Sequence, residues 1–458
     1  MANNLRTIAL YLPQFHTIPE NDAWWGAGFT EWTNVRASQP RFEGHHQPHV
    51  PTKLGYYDLR NSDVRTAQAE MAREYGISGF CYYHYWFSGK RLLETPFNEV
   101  LSTGKPDFPF CLCWANENWT RRWDGLDRDV LIAQEYSDED SRAFMEALLP
   151  AFRDERYIRV NGKPLLLVYR TGIIPDPLRM TEIWRETARR SGIDDLYLVR
   201  VASYMDVVEP SPASLGFDAA MEFAPHWESI GASLGSLAEA GGPDVPVRHN
   251  MFVFDYERCM SNMLSRILPS YPLFRSVFPS WDNSARRKSE PSIFVNSSPE
   301  KFAFWLASVS VQTLERYQGD EQLVFINAWN EWGEGCHLEP DEHYGFSWLE
   351  GVKSVQQFME ILSAAREMTL AANGEISFSA WYDCFQRINS DEGGLSGKLA
   401  AALPVLAAGG AQLSEEEMLK RFIDLSARKD EMLSAVTSSL CWRLTAPIRA
   451  ILDKVQGK

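Results

Sequence analysis

Short apolar runs return along this chain, and the intervals between them are filled by longer stretches of helical periodicity. That is the pattern of repeated βα units. Residues 7–15 are the first candidate strand. A helix over 62–75 stops at Gly76, a residue suited to the left-handed position that closes many helices, and leads into a second strand at 77–87. Residues 108–119 follow, then 163–170 after a helix at 138–156, and 196–202 after a helix at 181–191. Residues 218–225 read as the sixth strand. For the seventh, 251–256 and 276–281 compete; the second is preferred, with 255–268 as an inserted helix. Residues 323–329, after the helix 299–317, are the eighth. The run Leu323-Val324-Phe325-Ile326 is apolar on both faces, as a strand buried in a parallel sheet must be. Eight strands alternating with helices predict an α/β fold, a (β/α)8 TIM-like barrel, over residues 1–375.

The pattern changes after residue 374. Gly393, Gly394 and Gly397 mark a linker, and Pro404 breaks the Ala/Leu-rich stretch 400–408. Ser414 and Glu417 form a capping box that opens a charged amphipathic helix reaching to about residue 434. Residues 440–452 interleave apolar side chains with Arg443 and Arg449. A C-terminal helical tail is therefore expected over 376–458. It could lie on a membrane surface, dock an assembly partner or pack back on the barrel.

Composition narrows the function. A net charge of −16 argues against nucleic acid or an anionic membrane as main partner, because phosphates call for a basic face. Aromatic residues make up 13% of the chain and include 16 Trp, a supply of flat rings suited to stacking on sugars as well as to packing. The seven cysteines include Cys81, Cys111 and Cys113 inside apolar runs, and they read as buried thiols of a reducing compartment. The first residues lack a charged segment followed by a long apolar one, and no apolar run is long enough to span a bilayer; a cytoplasmic location is expected.

Polar and aromatic residues gather where the predicted strands end: Gln14 and His16, Tyr83 and His84, Asn116 and Glu117, Tyr169 and Arg170, Glu222 and His226, Asp282, and Glu331 and Glu334. In a barrel that rim is where active sites lie. Glu331 and Glu334 are the candidate catalytic pair. Cleavage or transfer at an acetal carbon needs one group to protonate the leaving oxygen and another to act at the cationic centre. Gly333 and Gly335 permit the turn that would face both carboxyls to one pocket, and Trp329 and Trp332 could wall it and raise one pKa. Substrate contacts are expected from these residues and from Asn330 and His337, from Trp119, Arg121 and Arg122 beside Asn116 and Glu117, and from Tyr83, His84, Glu222 and Asp282. The first loop adds Trp24, Trp25, Glu31 and Trp32, as a roof over the site or a plug in the barrel mouth. Arg121 and Arg122 could instead hold the phosphate of an activated sugar donor. His16, His84, His226, His337 and His343 show no HxH or HxxxH spacing among themselves. His45, His46 and His49 do read HHxxH, but Pro48 speaks against a helix, so no metal and no other cofactor is expected. Phosphate loops of the GxGxxG or Walker type are absent from the sequence.

The segments YLPQFH, WWGAGFTEWTNV, CYYHYWFSGKRLLETP, CWANENWTRRWDG and NAWNEWGEGCHLEP resemble the WbsX-like proteins of bacterial surface-polysaccharide clusters, a group related to glycoside hydrolase family 99 with its endo-α-mannosidases. The resemblance covers residues 5–357 and implies a (β/α)8 barrel. The family 99 pattern NEW-x-EG-x-x-x-EP falls on Asn330, Glu331, Trp332, Glu334, Gly335, Glu339 and Pro340. It implies Glu334 as general acid/base and Glu331 as the base that deprotonates the sugar 2-hydroxyl, giving an anhydro-sugar intermediate and net retention. Where that family usually carries His, this chain has Gly333, which implies a different pocket floor. The implied activity is that of a retaining glycosidase or transglycosidase on a bacterial surface polysaccharide or its precursor. The alternatives are a glycosyltransferase of O-antigen or lipopolysaccharide synthesis and a non-catalytic glycan-binding scaffold.

Overall fold

A computed structural model describes residues 5–121, 126–202, 211–247 and 250–370. Eight strands form a closed parallel barrel: β1 (Arg6–Tyr11), β2 (Gly79–Phe87), β3 (Phe110–Trp114), β4 (Lys163–Val168), β5 (Tyr197–Ala202), β6 (Ala219–Glu222), β7 (Leu273–Val277) and β8 (Leu323–Ile326). Closure is made by β1, which pairs with β8 (Arg6 opposite Leu323) and with β2 (Ile8 opposite Gly79). Every residue of β3, β5, β6, β7 and β8 is buried. A strand with barrel core on one face and helices on the other has no solvent side, so its sequence is largely apolar rather than alternating, and the exceptions, Arg200, Glu222, Arg275 and Ser276, are buried too.

Outside the barrel lie α1 (Ser62–Glu74), α2 (Thr95–Thr103), α3 (Asp138–Phe152), α4 (Pro177–Arg190), α5 (Tyr256–Ser265), α6 (Pro299–Arg316) and α7 (Ser347–Leu370). Side chains of Asn61, Ser137, Asp176, Asp255 and Ser298 cap the starts of α1, α3, α4, α5 and α6 by accepting from exposed backbone N–H groups. The barrel, α1 to α6 and α7 as far as Ile361 belong to one compact unit, Ala2–Ile361.

The seventh strand begins three residues earlier than the preferred sequence reading and overlaps it only at Ser276 and Val277. The competing segment is also a strand, Phe252–Asp255, but it pairs with Ser292–Val295 in a separate two-stranded ribbon beside the barrel. Both apolar runs were real strands, and only one belongs to the barrel. The third strand ends at Trp114, ahead of Asn116, so the chemistry-bearing residues that follow sit in loop rather than strand. The expected boundary at 375, the linker and the helical tail lie outside the described residues. Cys81, Cys111, Cys113, Cys259 and Cys336 are buried free thiols.

Candidate active site

After β8 the chain makes a tight excursion. Asn330–Glu331 pairs antiparallel with Cys336–His337, and the single turn Trp332–Glu334 closes the hairpin between them. The loop after β7 clamps this turn: the backbone N–H of Asp282 donates to the carbonyl of Glu334 at 2.6 Å, and the Ser280 hydroxyl donates to the carbonyl of Gly335. Gly335 has φ +58°, and a Cβ there would stand 3.0–3.1 Å from Asp282 atoms, so the clamp needs glycine.

This geometry turns Glu331 and Glu334 to the same side, where one guanidinium receives both. Arg286 Nη2 lies 2.5 Å from Glu331 Oε2, and its Nη1 lies 2.9 Å from Glu334 Oε1. Its Nε donates to Glu31 Oε1 at 2.6 Å. Exposure grades across the cluster: the side chain of Glu31 is 0% exposed, Glu331 7%, Arg286 14% and Glu334 22%. Glu334 is thus the carboxylate nearest solvent. Among the described residues, three carboxylates crowd this one guanidinium in a desolvated place. Burial pushes Glu331 up to about 8, with Glu334 and Glu31 adding to the rise and Arg286 opposing it. Burial alone would lower the pKa of Arg286; the three carboxylates outweigh it and raise it.

The floor of this cluster depends on Gly333. A Cβ at that position would fall 1.7 Å from Glu31 Oε1 and 2.9 Å from Arg286 Nε. The Glu31–Arg286 ion pair therefore fills the volume where a side chain at 333 would sit. The different floor expected from the sequence is a carboxylate delivered from the first loop.

Aromatic rings surround the mouth. Along β2 side chains alternate, so Tyr83 and Tyr85 share one face and His84 takes the other. The charge of Glu331 adds to the burial that keeps the hydroxyls of Tyr83 and Tyr85 protonated. Tyr83 meets Tyr169 edge-on at 6.2 Å, and Tyr169 meets Phe223 at 5.5 Å. On the other flank Tyr85 packs against Trp119 at 5.4 Å, and Trp119 against Trp24 of the first loop at 5.6 Å.

Several expected substrate contacts serve the framework instead. His84 lies behind the wall, 6.0 Å from the ring of Phe144 on α3, and burial pushes its pKa down to about 3. Glu222 bonds Arg266 at 2.6 Å and Arg275 at 2.7 Å; Arg275 also bonds Met263 of α5 and Gln312 of α6, so the group faces the helix layer. Asp282 accepts from His45 at 2.7 Å, from Gln47 at 2.5 Å and from the N–H of Ser284 at 2.9 Å. Burial would raise its pKa, but His45 and Gln47 hold it down at about 2. Asn116 ties the ends of β3 and β4 together through the N–H and C=O of Arg170, and Asn330 does the same for the backbone of Leu12. Trp32 is buried, donates to the carbonyl of Tyr57 and packs on Phe15 and Trp332. Trp25 packs on Phe29 at 5.9 Å. Glu117 pairs with Arg170 at 2.5 Å. Arg122 and the side chain of Arg121 lie outside the described residues.

Trp329 and Trp332 turn their indole N–H groups to a third carboxylate. Both indole N–H groups donate to Glu339, at 3.0 and 2.7 Å, and Gln68 and Tyr57 complete a set of four donors around that carboxylate. His337 stacks on Trp332 at 3.6 Å and joins the same layer. The rise in the Glu331 pKa comes from burial and from neighbouring carboxylates.

A family model described as "Glycosyltransferase WbsX" matches residues 7–352. The chain belongs to the WbsX glycosyltransferase family. It is a family of carbohydrate-active enzymes. Two curated relatives, each described as "Uncharacterized protein WxcX" and drawn from two strains of Xanthomonas campestris pv. campestris, are 43% identical over 375 residues. Those matches cover 82% of this chain and 52% of each relative, so the chain spans about half the length of the curated relatives it matches. Among solved structures, the glycoside hydrolase family 99 endo-α-mannosidase from Bacteroides thetaiotaomicron gives a TM-score of 0.48 at 13% identity, covering 80% of this chain and 99% of its own. A glycoside hydrolase-like protein gives 0.49 at 13% identity, covering 77% and 94%.

Arg286 is the residue that sequence reasoning missed. It lies in an irregular loop with no apolar periodicity to mark it. A charge count could have found it, because buried carboxylates on neighbouring loops demand a buried cation. Tyr85 was also missed, although alternation from Tyr83 places it on the same face.

Proposed function

We propose that the protein makes or breaks glycosidic bonds with Glu331 and Glu334 as its acid/base pair. Its substrate is a bacterial surface polysaccharide or the precursor of one. The observation that carries this reading is the single guanidinium of Arg286 gripping both carboxylates at the end of β8. Glu334, the more exposed, protonates the leaving oxygen. Glu331 takes a proton from the sugar 2-hydroxyl, for which a raised pKa suits it: a carboxylate with a higher pKa is a stronger base when ionised. The ring then closes on itself as an anhydro sugar, and opening by water or an acceptor hydroxyl gives net retention. The rim rings of Tyr83, Tyr85, Trp119 and Trp24 offer stacking faces for sugars.

The test is Glu334→Gln, assayed on polysaccharide from the protein's own source. Turnover should fall by about 10²–10⁴ while glycan binding is retained, since general acid catalysis contributes that much. Full turnover in the variant would sink the assignment. The family's description as a glycosyltransferase favours a second reading, transfer from an activated donor. Product that forms only when a nucleotide sugar or lipid-linked sugar is added would select it.

A further inference from the structure

Histidines from two distant parts of the sequence meet beneath the carboxylate loop. Residues 49–52 run beside 339–342: the N–H of Thr52 donates to the carbonyl of Pro340, and that of Glu342 to the carbonyl of Val50, each at 3.0 Å. This pairing brings His49 Nδ1 to 2.9 Å from His337 Nε2. His337 Nδ1 lies 2.9 Å from the carbonyl oxygen of Glu339. A carbonyl only accepts, so Nδ1 carries the proton and Nε2 offers its lone pair to the space shared with His49. Asp341 Oδ2 stands 3.6 Å from that same Nε2. Its other oxygen is held by the N–H groups of His343 and Tyr344, at 2.9 and 2.6 Å, which aims the carboxylate.

We propose that His49, His337 and Asp341 bind one divalent transition-metal ion, zinc foremost, with water or His46 in the fourth position. The three donor atoms lie within 4.8 Å of one another, and all three residues are buried. Ligands about 2.1 Å from a tetrahedral ion stand roughly 3.4 Å apart, a spacing that the 2.9 and 3.6 Å separations bracket. A hydrogen bond between the two imidazoles would account for the shorter separation. It would leave the Nε2 lone pair facing a carboxylate oxygen as well, a repulsion that a shared cation removes. The bond from His337 Nδ1–H to a backbone carbonyl is the usual way a ligating histidine is oriented. His46 stands next in line, its ring 4.7 Å from that of His49 and 4.3 Å from that of His343.

Such an ion would pin the loop of residues 45–52 to the hairpin after β8. Because Trp332 stacks on His337, it would fix the turn carrying Glu331 and Glu334 without touching substrate. The site is hidden from a linear reading, since His49 and His337 lie 288 residues apart.

Metal analysis of the full chain, purified without a histidine tag, tests this. About one equivalent of zinc is expected per chain. After chelation, Zn²⁺ should bind in a calorimeter and raise the melting temperature. Co²⁺ in place of zinc should show the visible bands of a tetrahedral ion, a readout that needs no mutant. His49→Ala and Asp341→Asn should each weaken Zn²⁺ binding by well over about tenfold, while the histidine-neighbour control His45→Ala should not. Chelated protein that binds neither Zn²⁺ nor Co²⁺ overturns the site, as does undiminished binding in a folded His49→Ala/Asp341→Asn variant.

Discussion

Two carboxylate environments lie back to back on one short hairpin, and they differ in how their charge is met. Among the described residues, Glu331, Glu334 and Glu31 converge on the one guanidinium of Arg286. Glu339, a few residues later, is surrounded by two indole N–H groups, an amide and a phenol, all donating to it. Burial still lifts Glu339 to about 7, against the pull of those four bonds. Both regions bury glutamate. One gives every lone pair of its carboxylate a donor and becomes framework; the other gathers three carboxylates around a shared guanidinium. Excess charge in a desolvated cluster costs stability and supplies proton chemistry.

The comparison breaks most severely at Arg286. Arg286→Ala strands three carboxylates, and removing one partner of a buried pair typically costs about 3–5 kcal/mol. Denaturant unfolding at pH 7 should show that loss, and it should shrink as the glutamates protonate in acid. A loss below about 1 kcal/mol would mean the three glutamates manage by sharing protons.

The same substitution on the two sides should have opposite signs. Glu339→Gln brings an amide donor against neighbours that already donate, and a loss of about 1–3 kcal/mol is expected. Glu331→Gln removes a group whose folded pKa, about 8, exceeds its ordinary value of 4.5. Between those values the unfolded chain has released the proton while the folded chain still holds it, so stability falls as pH rises through that window. Glu331→Gln should therefore raise the melting temperature, by more at pH 8 than at pH 5, while abolishing turnover. Equal shifts at both pH values would mean that Glu331 is already ionised in the fold.

Activity reports the same group. If Glu331 works as the base and Glu334 as the acid, kcat/KM should be bell-shaped, with one limb breaking near pH 8. A profile without a break near pH 8 would mean that Glu331 does not titrate in the reaction.

Asp282 supplies a smaller contrast with the opposite sign. Its pKa is depressed to about 2, so its contribution of about 2 kcal/mol is complete above pH 4 and is lost as pH falls through 2. Asp282→Asn should remove that acid-limb dependence from the unfolding curve.

The barrel was legible because strands buried on both faces spell themselves as unbroken apolar runs, and β8 is the plainest case. The hairpin glutamates were legible because glycines and acids alternate just past such a run. What stayed hidden was direction. Nothing in the local sequence says that Trp329 and Trp332 turn to Glu339, or that Glu222 faces α5 and α6, because those choices depend on partners from other loops. His84 is different: alternation with Tyr83 already excluded one of the two from the mouth.

Gly333 carries a consequence for redesign and for descent alike. Positions 31 and 333 compete for one parcel of space, so neither can drift alone. A relative with a bulky residue at the second would have to surrender the acid at the first, and Arg286 would then be left with one anion fewer. Saturation mutagenesis at 333 by itself should return mostly broken protein, whereas a paired library over 31 and 333 should reopen the floor of the mouth to new side chains and to different sugars.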